Sequence, residues 1–216
     1  SGGTLYVGGR FRQIDSTTRD RIAAFDPGTG HVTSWNPNAN SDVTTIAAAG
    51  STLYVGGNFT AIGGQSRSKL ASLSTSTGLA GAWAPTVTTA NGVAGIRVIT
   101  VDGSAVRIGG QFTSMAGVTR NGAAAVDASG TPLAWDPNAT SAIGHTVYAL
   151  AVGGGRVYVG GDFVSAGGTR RGGIAKLDAA GDLASWDPNA DSTVFALALS
   201  GSVVYAGGDF AAIGGQ

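Results

Sequence analysis

The chain has 216 residues, with 37 Gly, only 6 Pro and 43% hydrophobic residues, a balance that excludes collagen and disorder and favours tight turns between buried strands. Lys+Arg and Asp+Glu are equal at 13 each, so the charge points to neither nucleic acid nor a membrane surface. Cys is absent, which removes disulfides, thiolate nucleophiles and Cys-ligated zinc, and no run reaches the roughly 18 apolar residues of a membrane-inserted helix.

In chain order, the first landmark is LYVGGRF at 5–11. The phrase returns as LYVGGNF at 53, VRIGGQF at 106, VYVGGDF at 157 and VYAGGDF at 204. Its glycine pairs begin at 8, 56, 109, 160 and 207, a period of about 50 that indicates a solenoid or propeller. Behind the first four pairs come the apolar segments IAAFD (22–26), LASLS (70–74), AAAVD (123–127) and IAKLD (174–178). Turns ending in Gly30, Gly78, Gly130 and Gly181 follow, and then Trp35, Trp83, Trp135 and Trp186. Ahead of each later pair sits another run: VTTIAAAG (43–50), IRVITVDG (96–103), VYALAVGG (147–154) and VFALALSG (194–201).

These short runs, rich in Val, Ile, Tyr or Phe and closed by Gly or Asx breakers, are strand signals, and none keeps a helical period. All 13 acids are Asp, and the cations are 11 Arg with Lys69 and Lys176, so the usual surface residues of soluble helices are missing as well. The repeat predicts four strands: A, B with the glycine pair, C, and D ending at the tryptophan. The predicted fold class is all-β, a β-propeller or propeller arc of four-stranded antiparallel blades with four to five repeats of about 50 residues.

Residues 1–37 supply B, C and D of a first blade, 38–87, 88–139 and 140–190 are whole blades, and 191–216 is a partial one, together a single propeller domain or a fragment. Missing repeats or another chain are expected to complete the ring. Ser1-Gly2-Gly3-Thr4 falls inside a repeat, so an export signal would stand upstream of it. The glycine pairs are expected to admit a neighbouring blade closely, and the tryptophans to wedge between blades.

YVGG-x-F, a Gly-Gly-x-x-Arg loop, a D-x-x-G turn and W-x-P-N-A run co-linearly through essentially the whole chain. This arrangement resembles the bacterial delta sixty repeat, a β-propeller family, and is similar more distantly to kelch repeats. The resemblance implies an exported protein, secreted or at the cell surface, with a binding or scaffold role. It assigns no catalytic residue.

Candidate sites come from comparing the copies with one another. The residue before each Phe varies within a constant frame: Arg10, Asn58, Gln111, Asp162 and Asp209. Arg19, Arg67, Arg120 and Arg171 are constant, three residues ahead of strand C. In an up-and-down blade the B–C and D–A loops share a face, and the D–A loops read NPNANSD (36–42), APTVTTA (84–90), DPNATSA (136–142) and DPNADST (187–193).

The arginines either bind loop carbonyls and Asp to lock adjacent blades or, with Asn58, Gln111, Asp162 and Asp209, form an anion or sugar-carboxylate site. Asp187, Asn189 and Asp191 have the alternate oxygen spacing of a calcium loop, but its glycine and closing Glu are absent and Asx residues cap turns unaided. No other cofactor is expected. His31 and His145 occupy unrelated repeat positions and supply no triad or histidine metal site. The resulting expectation is a non-catalytic exported binding or scaffold module presenting one face to polysaccharide or a protein surface. The alternatives are a carbohydrate-active enzyme using Asp162 and Asp209, and a structural spacer in an extracellular assembly.

Overall fold

The computed structural model of the protein describes residues 3–89, 94–141 and 145–215. Among them there is no helix, and every strand pairing is antiparallel, so the all-β expectation holds. The chain divides into two compact units, Ser1–Thr86 and Val87–Gln216.

In the first unit Leu5–Gly8 pairs with Ile22–Phe25, and a sheet follows in the order Val43–Ala49, Thr52–Gly57, Leu70–Ser74. In the second unit the same A–B–C order recurs twice. It appears in Gly95–Asp102, Ala105–Gln111, Ala123–Val126, and again in Val147–Gly153, Arg156–Gly161, Ile174–Asp178. A last hairpin joins Val194–Ser200 to Val203–Gly208.

The expected fourth strand is nearly absent. It survives as one bridging residue per repeat: Val32 against Phe25, Ala80 against Leu73, Pro132 against Val126 and Leu183 against Leu177. Pro132 has no N–H with which to extend a ladder, and beyond the bridge the chain soon enters the Trp and Pro-Asn loop. The B–C connections are instead more ordered than expected. Each forms a miniature hairpin, such as Ala61–Ile62 with Gln65–Ser66 or Ser165–Ala166 with Thr169–Arg170. Val87–Thr88, in an expected D–A loop, adds to the hairpin of Ser114–Met115 and Val118–Thr119.

The glycine pair relieves two different kinds of crowding. A Cβ on Gly8 would meet Val43 and stand 2.9 Å from Ile46 Cδ1, both on the A strand of the following sheet. On Gly160 it would stand 2.9 Å from Val194 and 3.2 Å from Leu197, again on the following A strand. The second glycine faces its own sheet. A Cβ on Gly57, Gly110, Gly161 or Gly208 would strike the carbonyl oxygen of Asp42, Gly95, Thr146 or Thr193.

The A strand bulges at this point. Ile96 pairs with Gly110 and Val98 with Gly109, so Arg97 is left over. Thr44, Tyr148 and Phe195 are the extra residues of the other A strands. The bulge also lets Val43 and Ile46, three residues apart, reach the same glycine, which strict alternation would forbid.

Phe59, Phe112 and Phe163 of the phrase are fully buried, while Phe11 and Phe210 are half-buried. Each tryptophan meets its own B strand. Tyr6–Trp35, Tyr54–Trp83 and Tyr158–Trp186 are edge-on ring pairs at 5.0, 4.9 and 5.5 Å, each worth about 0.5–1.5 kcal/mol beyond burial. In the third repeat Arg107 replaces the tyrosine. Its guanidinium lies 5.5 Å from the Trp135 ring and 3.0 Å from Asp102. Trp35 Nε1 donates to the Ser74 carbonyl of the following sheet at 3.0 Å, the wedge that the sequence predicts.

Three C–D turns close on aspartates, Asp26, Asp127 and Asp178, and the second closes on Ser74. The Asp127 carboxyl sits below the ordinary 3.8 because it accepts the Ser129 hydroxyl and then the Thr131 amide; that of Asp178 is lowered by the Asp182 amide and then by those of Gly181 and Ala180. A carboxyl lowered in the folded state stabilises fully above its unfolded value and ceases to as pH falls through the folded one. The stability gap between the parent and an Asp127→Asn, Asp178→Asn variant should therefore be present near neutrality and narrow once pH drops below about 3.8. A gap unchanged in acid urea melts would contradict this role.

Candidate functional site

The four constant arginines are held alike. Each donates one guanidinium N–H to the carbonyl of the preceding residue, which is Thr18, Ser66, Thr119 or Arg170. Each donates another to a carbonyl near the D bridge of its own repeat, from Thr33, Gly81, Leu133 or Ala184. A planar fork suits two carbonyls at fixed separation. The tie therefore runs within one repeat, whereas the locking role read from the sequence placed it between adjacent blades. Arg120 and Arg171 also approach Asp136 at 3.5 Å and Asp187 at 3.4 Å.

Further clips come from the Asn/Asp loops, and it is their proline carbonyls that tie successive repeats together. Asn40 Oδ1 accepts the amides of Thr60 and Ala61 at 2.9 and 3.1 Å, and Asp191 Oδ1 those of Ala211 and Ala212 at 2.9 and 3.1 Å. The carbonyls of Pro37, Pro137 and Pro188 accept the amides of Gly63, Gly167 and Gly214. The oxygens considered for calcium are thus engaged with protein: Asp191 holds two amides and Asp187 faces Arg171. Asn189 is exposed in the left-handed region, with φ 46°. Among the described residues no three His, Cys, Asp or Glu side chains gather to hold a metal.

The variable residues have separate fates. Asn58, Gln111 and Asp209 are exposed where strand B ends. Asp162 accepts the Thr146 amide through Oδ1. Arg10 lies 3.6 Å from Asp42, which also faces Arg21 at 3.2 Å. His31 pairs with Asp15 at 3.3 Å, both well exposed.

Within the second unit the loops enclose an open depression of about 550 Å³, walled by Asp162, Val164, Arg170, Asn189, Asp191 and Thr193 among others. Val164 exposes 54% of its surface there. The depression gathers Asp162, Asn189 and Asp191; Asp187 and Asp209 are not among its walls. In the first unit a depression of about 540 Å³ has no charged residue in its wall.

The sequence reading overlooks the bulge residues. Arg97 and Phe195 are exposed and Tyr148 is half-buried, and the three stand in a row on successive A strands. Arg97 lies 6.0 Å from the Tyr148 ring centroid, and the Tyr148 and Phe195 rings are 5.1 Å apart at 75°. The signal was available: Thr44, Arg97, Tyr148 and Phe195 vary beside a constant aliphatic neighbour, Val43, Ile96, Val147 or Val194.

Comparison with known proteins bears on the fold. The model of a family described as "Domain of unknown function (DUF5122) beta-propeller" matches residues 155–183, so the chain is similar to a propeller family over strands B and C of one repeat. Among solved structures the chain is similar to the computationally designed Ika8 protein. The identity is 17% over 99% of this chain and 67% of that one, with a TM-score of 0.52. The computationally designed Ika4 protein is 18% identical over 79% of this chain and 87% of its own, with a TM-score of 0.48. The likeness to Ika8 is one of fold alone. No curated protein matches the chain.

Proposed function

We propose that the chain is a non-catalytic binding module built on a β-propeller of the delta sixty type, exported and displayed outside the cell, whose loop end takes polysaccharide. The observation that carries this reading is the depression walled by Asp162, Arg170, Asn189, Asp191 and Thr193 around exposed Val164. Sugars offer hydroxyls along their rims and C–H groups on their faces. A concave wall with charges of both signs, amide and hydroxyl groups and one apolar contact answers both.

The recurring YVGG-x-F phrase and the propeller-family match over 155–183 support the architecture. A non-catalytic role is supported by the engagement of the reactive groups. The constant guanidiniums hold carbonyls, and Asp162 holds an amide. The His31–Asp15 pair stands in the open, with 76% and 62% of its side chains exposed, where nothing excludes water.

A polysaccharide panel read by calorimetry on the full chain tests the proposal. Saturable binding is expected, weakened about tenfold by Arg170→Ala, since a hydrogen bond to a charged group is worth about 1.5–3 kcal/mol. Absence of binding to every glycan would overturn the proposal, as would release of reducing ends at a rate abolished by Asp162→Asn.

A further inference from the structure

We infer that the bulge row Arg97–Tyr148–Phe195 recognises an acidic, uronate-bearing glycan. The inference rests on the polysaccharide reading above and names the class of sugar. β-Bulges re-aim side chains that strand alternation would otherwise place, and here successive A strands bulge at the same register and turn a guanidinium, a phenol and a phenyl ring into one line. Phe195 stands 45% exposed on the A strand of the last hairpin.

The chemistry of the row is directional. The Arg97 guanidinium centre lies 6.0 Å from the Tyr148 ring centroid, and a guanidinium offers paired N–H groups that match a carboxylate bidentately. No acidic side chain among the described residues forms an ion pair with Arg97. The Phe195 ring offers apolar surface to the C–H face of a pyranose. The polar groups lie one step away: Gln111 stands opposite Gly95, two residues before Arg97. Asp162 holds the amide of Thr146, two residues before Tyr148, and Thr193, two residues before Phe195, walls the depression. A carboxylate for the cation, C–H faces for the rings and hydroxyls for the rim groups are combined in a uronic acid.

Calorimetry on the full chain, with tetrasaccharides of galacturonate, alginate and hyaluronan against neutral maltotetraose, tests this assignment. At least one acidic tetrasaccharide is expected to bind at least about tenfold more tightly than maltotetraose, and Arg97→Gln should remove that preference while Arg97→Lys keeps part of it. Phe195→Ala should weaken acidic and neutral ligands alike, by about fivefold. Arg97 is exposed, so its variants should melt with the parent; Phe195→Ala also loses the ring pair with Tyr148, which contributes to stability, so Phe195→Leu, which keeps apolar area and loses the ring, is measured beside it. Equal affinity for acidic and neutral sugars, or an Arg97→Gln variant as tight as the parent, would overturn the inference. If Arg170→Ala still weakened binding in that case, the polysaccharide reading would stand without it. Failure of all glycans to bind would remove both.

Discussion

Gly161→Ala is expected to destabilise the protein by about 3 kcal/mol, Gly160→Ala by about 1–2 kcal/mol, and Gly207→Ala by no more than about 0.5 kcal/mol. The three positions belong to the same phrase and differ only in what surrounds them. At Gly161 a methyl group would strike the Thr146 carbonyl, and a backbone atom fixed in a ladder cannot move aside. At Gly160 the obstacles are Val194 Cγ1 at 2.9 Å and Leu197 at 3.2 Å, side chains that can shift. Gly207 is the counterpart of Gly160 in the last hairpin, and nothing lies within 4 Å of its added methyl. Urea titration of the three variants checks the order. Equal losses at all three would mean that the glycines serve backbone conformation rather than close approach.

Arg171→Ala should cost about 3 kcal/mol, and Arg171→Lys should recover less than half of it. The guanidinium is nine-tenths buried and spans the carbonyls of Arg170 and Ala184 at 2.8 and 3.1 Å, with Asp187 at 3.4 Å. Alanine would leave two carbonyls short of a charged donor, at about 1.5 kcal/mol or more each. An ammonium can reach one carbonyl but cannot fork to both. Asp187→Ala, by contrast, removes a partner that is one-third exposed and should cost under about 1 kcal/mol. Full stability in Arg171→Lys would show that charge, rather than the fork, holds the loop.

The sequence made the strands legible because each run is short, apolar and bounded by glycine or Asx. The A, B and C strands therefore fall where the runs are. Strand D was overestimated: a tryptophan and a preceding apolar residue look like a strand, but one bridging residue, such as Leu183 against Leu177, stands in its place before the Pro-Asn loop departs. The arginines were recognisable as constant, yet their partners are main-chain carbonyls, which carry no residue signature; only coordinates could place Thr33 or Leu133 at the fork. The loop carrying the Asp191 clip looked like a cation loop because oxygen spacing is the same whether amides or a metal is held.

The bulge was the largest omission. In IRVITVD and VYALAVG it is disguised as ordinary alternation, and the strand register, which passes over Arg97 and Tyr148, exposes the extra residue. That residue places Arg97, Tyr148 and Phe195 at the surface, so the candidate site was less legible than the fold.

Cross-strand nuclear Overhauser contacts between residues 95–98 and 109–111 test the central claim, that a glycine pair seats a bulged neighbouring strand. Ile96 opposite Gly110 and Val98 opposite Gly109, with Arg97 facing neither, is the register the account predicts. A continuous ladder with Arg97 directly opposite a glycine would contradict it, together with the exposed row built on the bulge.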